Sequence, residues 1–247
     1  MRFPSKIFAI VVVAAMVGGA CGGTKDSPPG PLARHFDDMY IASIPFAQKQ
    51  AMLQSNQDWS SARMAKAEAE ANYNDSATQL SIAHNDQQAA RLSVDSAVSN
   101  KKSAEASADT NRMNQATRDL HNAENLVKAA DARVAYVEAY RAYLRVVVRH
   151  AEEAMYWREA QYELAKAQLG QKNNIAPKGV EYDGFPKQEQ ERARREASAK
   201  QHVESEKGHV QSVRDTWRKA QDSVDRDTGR PSNFPDPMAA KSASASQ

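Results

Sequence analysis

Apolar side chains recur at alternating spacings of three and four along most of this chain. A first track runs from Met52 through Trp59, Ala62, Ala69, Tyr73, Leu80, Ala83, Ala90 and Ala97 to Ala104. A second runs from Met113 through Ala116, Leu120, Ala123, Val134, Val137, Leu144 and Tyr162 to Leu169. A repeat sustained over so many heptads predicts a coiled coil. Alanine at every other seam position lets two helix axes approach closely. No glycine or proline interrupts the chain between Phe46 and Leu169, and its Ala, Gln, Glu, Lys and Arg content favours helix throughout.

The two tracks do not join. The first extrapolates to Ala108, whereas the second begins five residues later at Met113. Stutters and stammers insert four or three residues, so a slip of five fits neither continuous form. Ser107, Asp109, Thr110 and Asn111 fall in the gap, and such side chains favour turns and helix N-caps. The spacing therefore predicts an antiparallel hairpin with its tip near 105–111 and arms of roughly 90 Å, at 1.5 Å per residue. A continuous helix in a parallel oligomer is the alternative.

Gly170 stands where a helix end favours a left-handed residue. A loop of about 15 residues and Pro186, at a first helical position, then precede a third helix running to about Asp227. Its seam is Ala199, Val203, Glu206, Val210, Val213, Trp217, Ala220 and Val224. The second arm carries an extra stripe, Tyr136, Tyr140, Tyr143, Val147, His150, Ala154 and Trp157. A helix apolar on two faces is buried on two faces. The third helix is thus expected against that stripe, making the base a three-helix bundle and leaving about 82–132 as a bare pair. A short helix over 32–44, with Leu32, Phe36, Met39 and Ser43 on one face, is expected to end before Pro45. The segment 228–247 has no periodicity and reads as disordered. The fold class is all-α: a long antiparallel coiled-coil hairpin with a third helix packed on its base, spanning 32–227.

Composition limits the function classes. The apolar fraction of 41% leans on alanine, and mean hydropathy is −0.72, as in long helices. Setting aside Arg2 and Lys6, the 33 basic residues become 31 against 31 acidic ones. A chain so near neutrality lacks the basic surface of a nucleic-acid binder. The single cysteine excludes an internal disulfide and a multi-thiolate zinc site.

That cysteine is Cys21. Before it come Arg2 and Lys6, the apolar core 7–17, and the small residues Gly18, Gly19 and Ala20, arranged as in a secretory signal. Val17-Gly18-Gly19-Ala20-Cys21 resembles the lipobox of bacterial lipoproteins, with Gly18 where leucine is usual. The resemblance covers about the first 23 residues. It implies cleavage after residue 20 and a diacylglyceryl thioether on Cys21, usually with a third, amide-linked chain. Each buried methylene contributes about 0.8 kcal/mol, so two or three chains anchor a protein stably. Residues 21–31 (GGTKDSPPGP after the cysteine) form a flexible tether. Gly22 is not the aspartate that marks inner-membrane retention in some bacteria. The expected site is therefore the periplasmic face of the outer membrane. Gln247 is not the terminal lysine by which the small cell-wall-linked outer-membrane lipoprotein joins peptidoglycan, so no such link is expected.

No phosphate loop, HExxH, EF-hand or GxSxG pattern is present. No catalytic residue, cofactor or metal is assigned, and the protein is read as a non-enzyme. His150 with Glu153 has the spacing of half a bundle metal site, but a histidine satisfied by a carboxylate is the ordinary reading. His202 and His209 read as solvent-facing. The group Tyr136, Tyr140, Tyr143, Tyr156, Trp157 and Tyr162 reads as packing under the third helix, and Arg192, Arg194 and Arg195 as a solvated face. Lys66, Lys101, Arg141 and Arg158 lie in the seam, where a charge fixes register. Lys101, Lys102, Glu105, Asp109 and Arg112, at the predicted tip, are the candidate partner contacts. The functional expectation is a lipid-anchored scaffold whose hairpin meets an envelope protein, possible self-association through the coiled coil included. Alternatives are an accessory subunit of an export or efflux assembly, and a ligand-binding or enzymatic bundle beneath the aromatic stripe.

Overall fold

The computed structural model describes residues 29–232 and 234–239. The signal segment, residues 21–28 of the tether and residues 240–247 lie outside the described residues. Within them the chain is all-α, with no strand. A single helical turn, α1 (Asp38–Ile41), precedes three long helices: α2 (Gln50–Ala106), α3 (Thr110–Lys172) and α4 (Gly184–Thr228). No helix among the described residues is long and apolar enough to cross a membrane.

α2 and α3 form the expected antiparallel hairpin. Residues 107–109 turn the chain, with Ala108 at φ 51°. The Asp109 carboxylate accepts from the backbone N–H groups of Asn111 and Arg112 at 2.9 and 3.2 Å, which caps α3. Along α2 the buried residues are Ala69, Ser76, Ala83, Ala90, Ala97 and Ala104, one every seven. Ala116 and Ala123 are their buried counterparts near the start of α3. At the other end of the seam Trp59 stacks on Tyr162, with centroids 5.7 Å apart and planes 17° apart.

α3 is the shared member: α2 and α4 both pack along it. The extra stripe meets α4 as its spacing implied. Tyr136 stacks on Trp217 at 5.2 Å, and Val210 is wholly buried. Phenol and indole rings bury far more apolar area than alanine methyls. The part of the rod that α4 covers is therefore better stabilised than the distal seam, which depends on repetition.

Four expectations need correction. First, α4 reaches somewhat further toward the tip than expected. Asn125 Nδ2 donates to Asp227 at 2.9 Å, and the end of α4 shares grooves with residues up to Asn100 on α2 and back to Thr117 on α3. The end of α4 is thus level with Asn125, and roughly residues 94–124, in place of 82–132, extend past it in the α2–α3 register set by Gln87 and Asp131. Second, Gly170 lies inside α3. The left-handed residue is Asn174, at φ 56°. Ile175 N–H donates to Gly170 O, and Asn174 N–H to Gln171 O, at 3.0 and 3.1 Å, the two bonds of a Schellman closure. Third, 32–44 is not a helix apart from the turn α1; Met39 is exposed, and Leu32, Phe36, Ile41 and Ile44 are buried. Fourth, the tail is not wholly loose: Phe234 and Met238 pack on the cluster around Tyr136 and Trp217.

Candidate functional site

Every candidate contact at the tip falls on the stretch that α4 leaves uncovered. Lys102, Glu105 and Arg112 are exposed, and Lys101 is half-buried on the seam. Asp109 is also exposed, but its carboxylate is engaged as the cap of α3. The tip thus offers Lys102, Glu105 and Arg112 as exposed charges around the capped turn. It projects about 20 Å beyond α4, at 1.5 Å per residue.

The opposite end is closed by a strap, residues 29–45. Phe36, 1% exposed, fills a socket of Tyr40, Tyr182 and Phe185, with centroids 5.9 to 6.1 Å away. Its backbone N–H donates to Glu163 Oε2 at 2.6 Å. Lys166 Nζ bridges the other Glu163 oxygen, at 2.8 Å, and Asp38 Oδ1, at 2.9 Å. Burial works against the Lys166 ammonium, but its bonds to Glu163 and then Asp38 outweigh it and raise its pKa above the ordinary lysine value. On the α4 side Arg192 donates to the carbonyls of Gly30 and Pro31 at 2.8 and 3.3 Å. Gln188 exchanges two hydrogen bonds with the backbone of Arg34.

The tail forms a second latch, beside the middle of the rod. Asp236 accepts from Tyr136 Oη at 2.8 Å, Arg214 Nε at 2.7 Å and an Arg218 guanidinium nitrogen at 2.6 Å. Its Oδ1 also caps Met238 N–H, at 3.1 Å. Burial alone would raise the carboxyl pKa, but Arg214, Tyr136 and Arg218 reverse that and hold it at about 2. Burial, then the bond to Asp236, pushes the Tyr136 phenol well above its usual value. The Arg133 guanidinium lies over the Phe234 ring, 4.1 Å from its centroid, and binds Asp86 of α2.

Comparisons of the chain with protein-family models, curated proteins and solved structures return no match. The site must be read from its own chemistry.

Among the described residues no group of three His, Cys, Asp or Glu side chains is placed to hold a metal ion. His150 meets Glu196 of α4 at 2.8 Å, not Glu153. Glu153 is buried and pairs with Arg149 and Arg195, both at 3.0 Å. His202 and His209 are exposed. The basic run is divided: Arg194 is exposed, whereas Arg192 and Arg195 hold the strap and Glu153. The aromatic group is also divided, with Tyr136 on Trp217, Tyr162 on Trp59, Tyr156 under Arg192 and Trp157 Nε1 donating to Glu189 at 2.7 Å. Among the seam charges Lys66 reaches Glu152 across the seam at 4.0 Å, and Arg141 lies over Tyr73 at 4.9 Å. Arg158 lies over Trp157 at 4.5 Å.

Glu163, Lys166, Phe234 and Asp236 have no place in the heptad pattern. The one sequence signal for the latch is Phe234-Pro235-Asp236-Pro237-Met238, which gathers the large apolar residues of an otherwise polar tail.

Proposed function

We propose that this chain is a non-enzymatic, lipid-anchored scaffold of a bacterial envelope. Cys21 carries the acyl chains, the protein sits at the periplasmic face of the outer membrane, and the coiled-coil tip meets an envelope protein. The strap carries this reading. The residues that follow the tether from Cys21 are fastened at the base, at the opposite end of the rod from the 107–109 turn. An anchor joined to that end leaves the charges Lys102, Glu105 and Arg112 about 85 Å away, the length of the 57 residues of α2 at 1.5 Å per residue. That separation suits a spacer.

Metabolic labelling with a palmitate analogue tests the anchor. Incorporation should occur in the wild-type chain and vanish in Cys21→Ala; labelling that persists removes the anchor from the reading. In-cell crosslinking from residues 102 and 112 tests the tip. Capture of a discrete envelope protein is expected, and a transport component among the products would point to the export-accessory alternative. Capture no different from that at exposed Gln54, near the base, would sink the contact role.

A further inference from the structure

The latch has the form of a receptor with its ligand already in place. Three donors converge on the Asp236 carboxylate: Arg214 and Arg218 from successive turns of α4, and Tyr136 from α3. The Tyr136 side chain is among the most deeply buried in the protein. Beside them the Arg133 guanidinium provides a flat cationic face for the Phe234 ring. Met238 enters the same apolar cluster. The segment therefore reads as aromatic, spacer, carboxylate, spacer, methionine, with one built feature of the groove for each of the three side chains.

Removing the segment strips the groove of its anionic partner. Two guanidinium groups lose a shared counter-charge, and a buried phenol hydroxyl loses its acceptor. Arg218 is half-exposed even under the tail, so water meets these donors when the tail leaves, but the charge-assisted bonds they make to a carboxylate are about twice as strong as neutral ones. The vacated groove thus selects for another carboxylate and discriminates against an amide of the same shape. The tail leaves α4 at Gly229, a left-handed cap at φ 65°, only a few residues before Phe234. So short a tether gives a local concentration on the order of millimolar, which keeps the groove occupied in cis.

We propose that the α3–α4 groove around Tyr136, Arg214 and Arg218 is a recognition site for an acidic peptide segment of a partner protein, with an aromatic residue two places before its aspartate, and that the chain's own tail masks it. Opening the tail exposes a site that reads aromatic–x–Asp, and closing it withdraws the site. The groove's donors come from α3 and α4, and it stands apart from the anchoring of Cys21.

The test uses the full chain with Phe234→Ala and Asp236→Asn, which frees the tail, and a fluorescent peptide with the sequence of residues 231–239. Saturable binding, read by anisotropy, should be at least tenfold tighter to this double variant than to the wild-type chain. The same peptide with Asn for Asp should bind at least tenfold more weakly, and adding Arg214→Gln to the variant should have a similar effect. Equal binding of the Asp and Asn peptides, or no saturable binding by a variant with wild-type helix content, overturns the proposal. The wild-type chain supplies an independent measurement that does not depend on the variant folding. Millimolar unlabelled peptide should accelerate hydrogen exchange at the Met238 amide, and no acceleration counts against the proposal.

Discussion

The ring of Phe36 lies so close to Gly170 that no side chain fits between them: a Cβ on Gly170 would meet Phe36 Cζ at 2.6 Å. Tyr40, Tyr182 and Phe185 surround the ring, so it has little room to retreat. In Gly170→Ala the helix gains up to about 1 kcal/mol of propensity, but overpacking a closed site costs about 1–3 kcal/mol. A lower melting temperature and faster exchange in the strap amides are expected. Adding Phe36→Leu should reduce the difference. A melting temperature at or above wild type would show that the socket adjusts freely.

The row of buried alanines sets how near α2 and α3 can come. Ala90 is 2% exposed, whereas Ala89 beside it faces solvent. Ala90→Leu should destabilise by about 1–3 kcal/mol through overpacking. Ala89→Leu should stay within about 0.5 kcal/mol of wild type. Urea midpoints measured on both variants separate a close-packed seam from a merely hydrophobic one, for which Ala90→Leu would stabilise.

Gly208 sits within α4 with nothing within 4 Å of the place a Cβ would occupy. Gly208→Ala is expected to stabilise by roughly 0.5–1 kcal/mol, because the unfolded chain loses freedom while the helix accommodates the methyl. A midpoint unchanged or lowered would mean that the position serves something other than the helix.

The latch should hold only within a pH window. The Asp236 pKa is depressed to about 2 in the docked tail, so docking is complete above the ordinary carboxylate value near 4 and weakens as pH falls toward about 2. The Tyr136 pKa is raised, so its contribution is complete below about 10 and is lost as pH rises beyond. A carbon-13 label on the methionine methyls reports this through the ring-current shift of Met238. That shift should collapse at both extremes, and in Asp236→Asn the acid limb should disappear. An acid limb that persists in Asp236→Asn would assign the transition to another group.

The helices were legible because their signal is periodic. Trp59, Ala83 and Ala90 mark one seam, Tyr136 and Tyr140 a second, and the slip from Ala108 to Met113 locates the turn. The extent of the α3–α4 contact follows from length: a 45-residue helix turning back at Lys172 reaches about residue 128 of its neighbour at equal rise per residue. The strap and the latch were not legible. They dock through single rings and buried charges, Phe36 on Glu163 and Lys166, Phe234 and Asp236 on Arg133 and Arg214. Those partners are 100 or more residues away or on another helix, so no local spacing announces them. Gly170 misled because a glycine near a helix end ordinarily marks the cap, whereas here it makes room for an aromatic ring.

The strap also decides how the molecule would bear load. Arg192 holds the carbonyls of Gly30 and Pro31, and Glu163 holds the amide of Phe36, so the leading segment is tied to α4 and α3 before it becomes continuous with α2. A pull on the N-terminus is therefore shared among all three helices. It shears the strap along the rod and does not peel α2 from its partner one turn at a time.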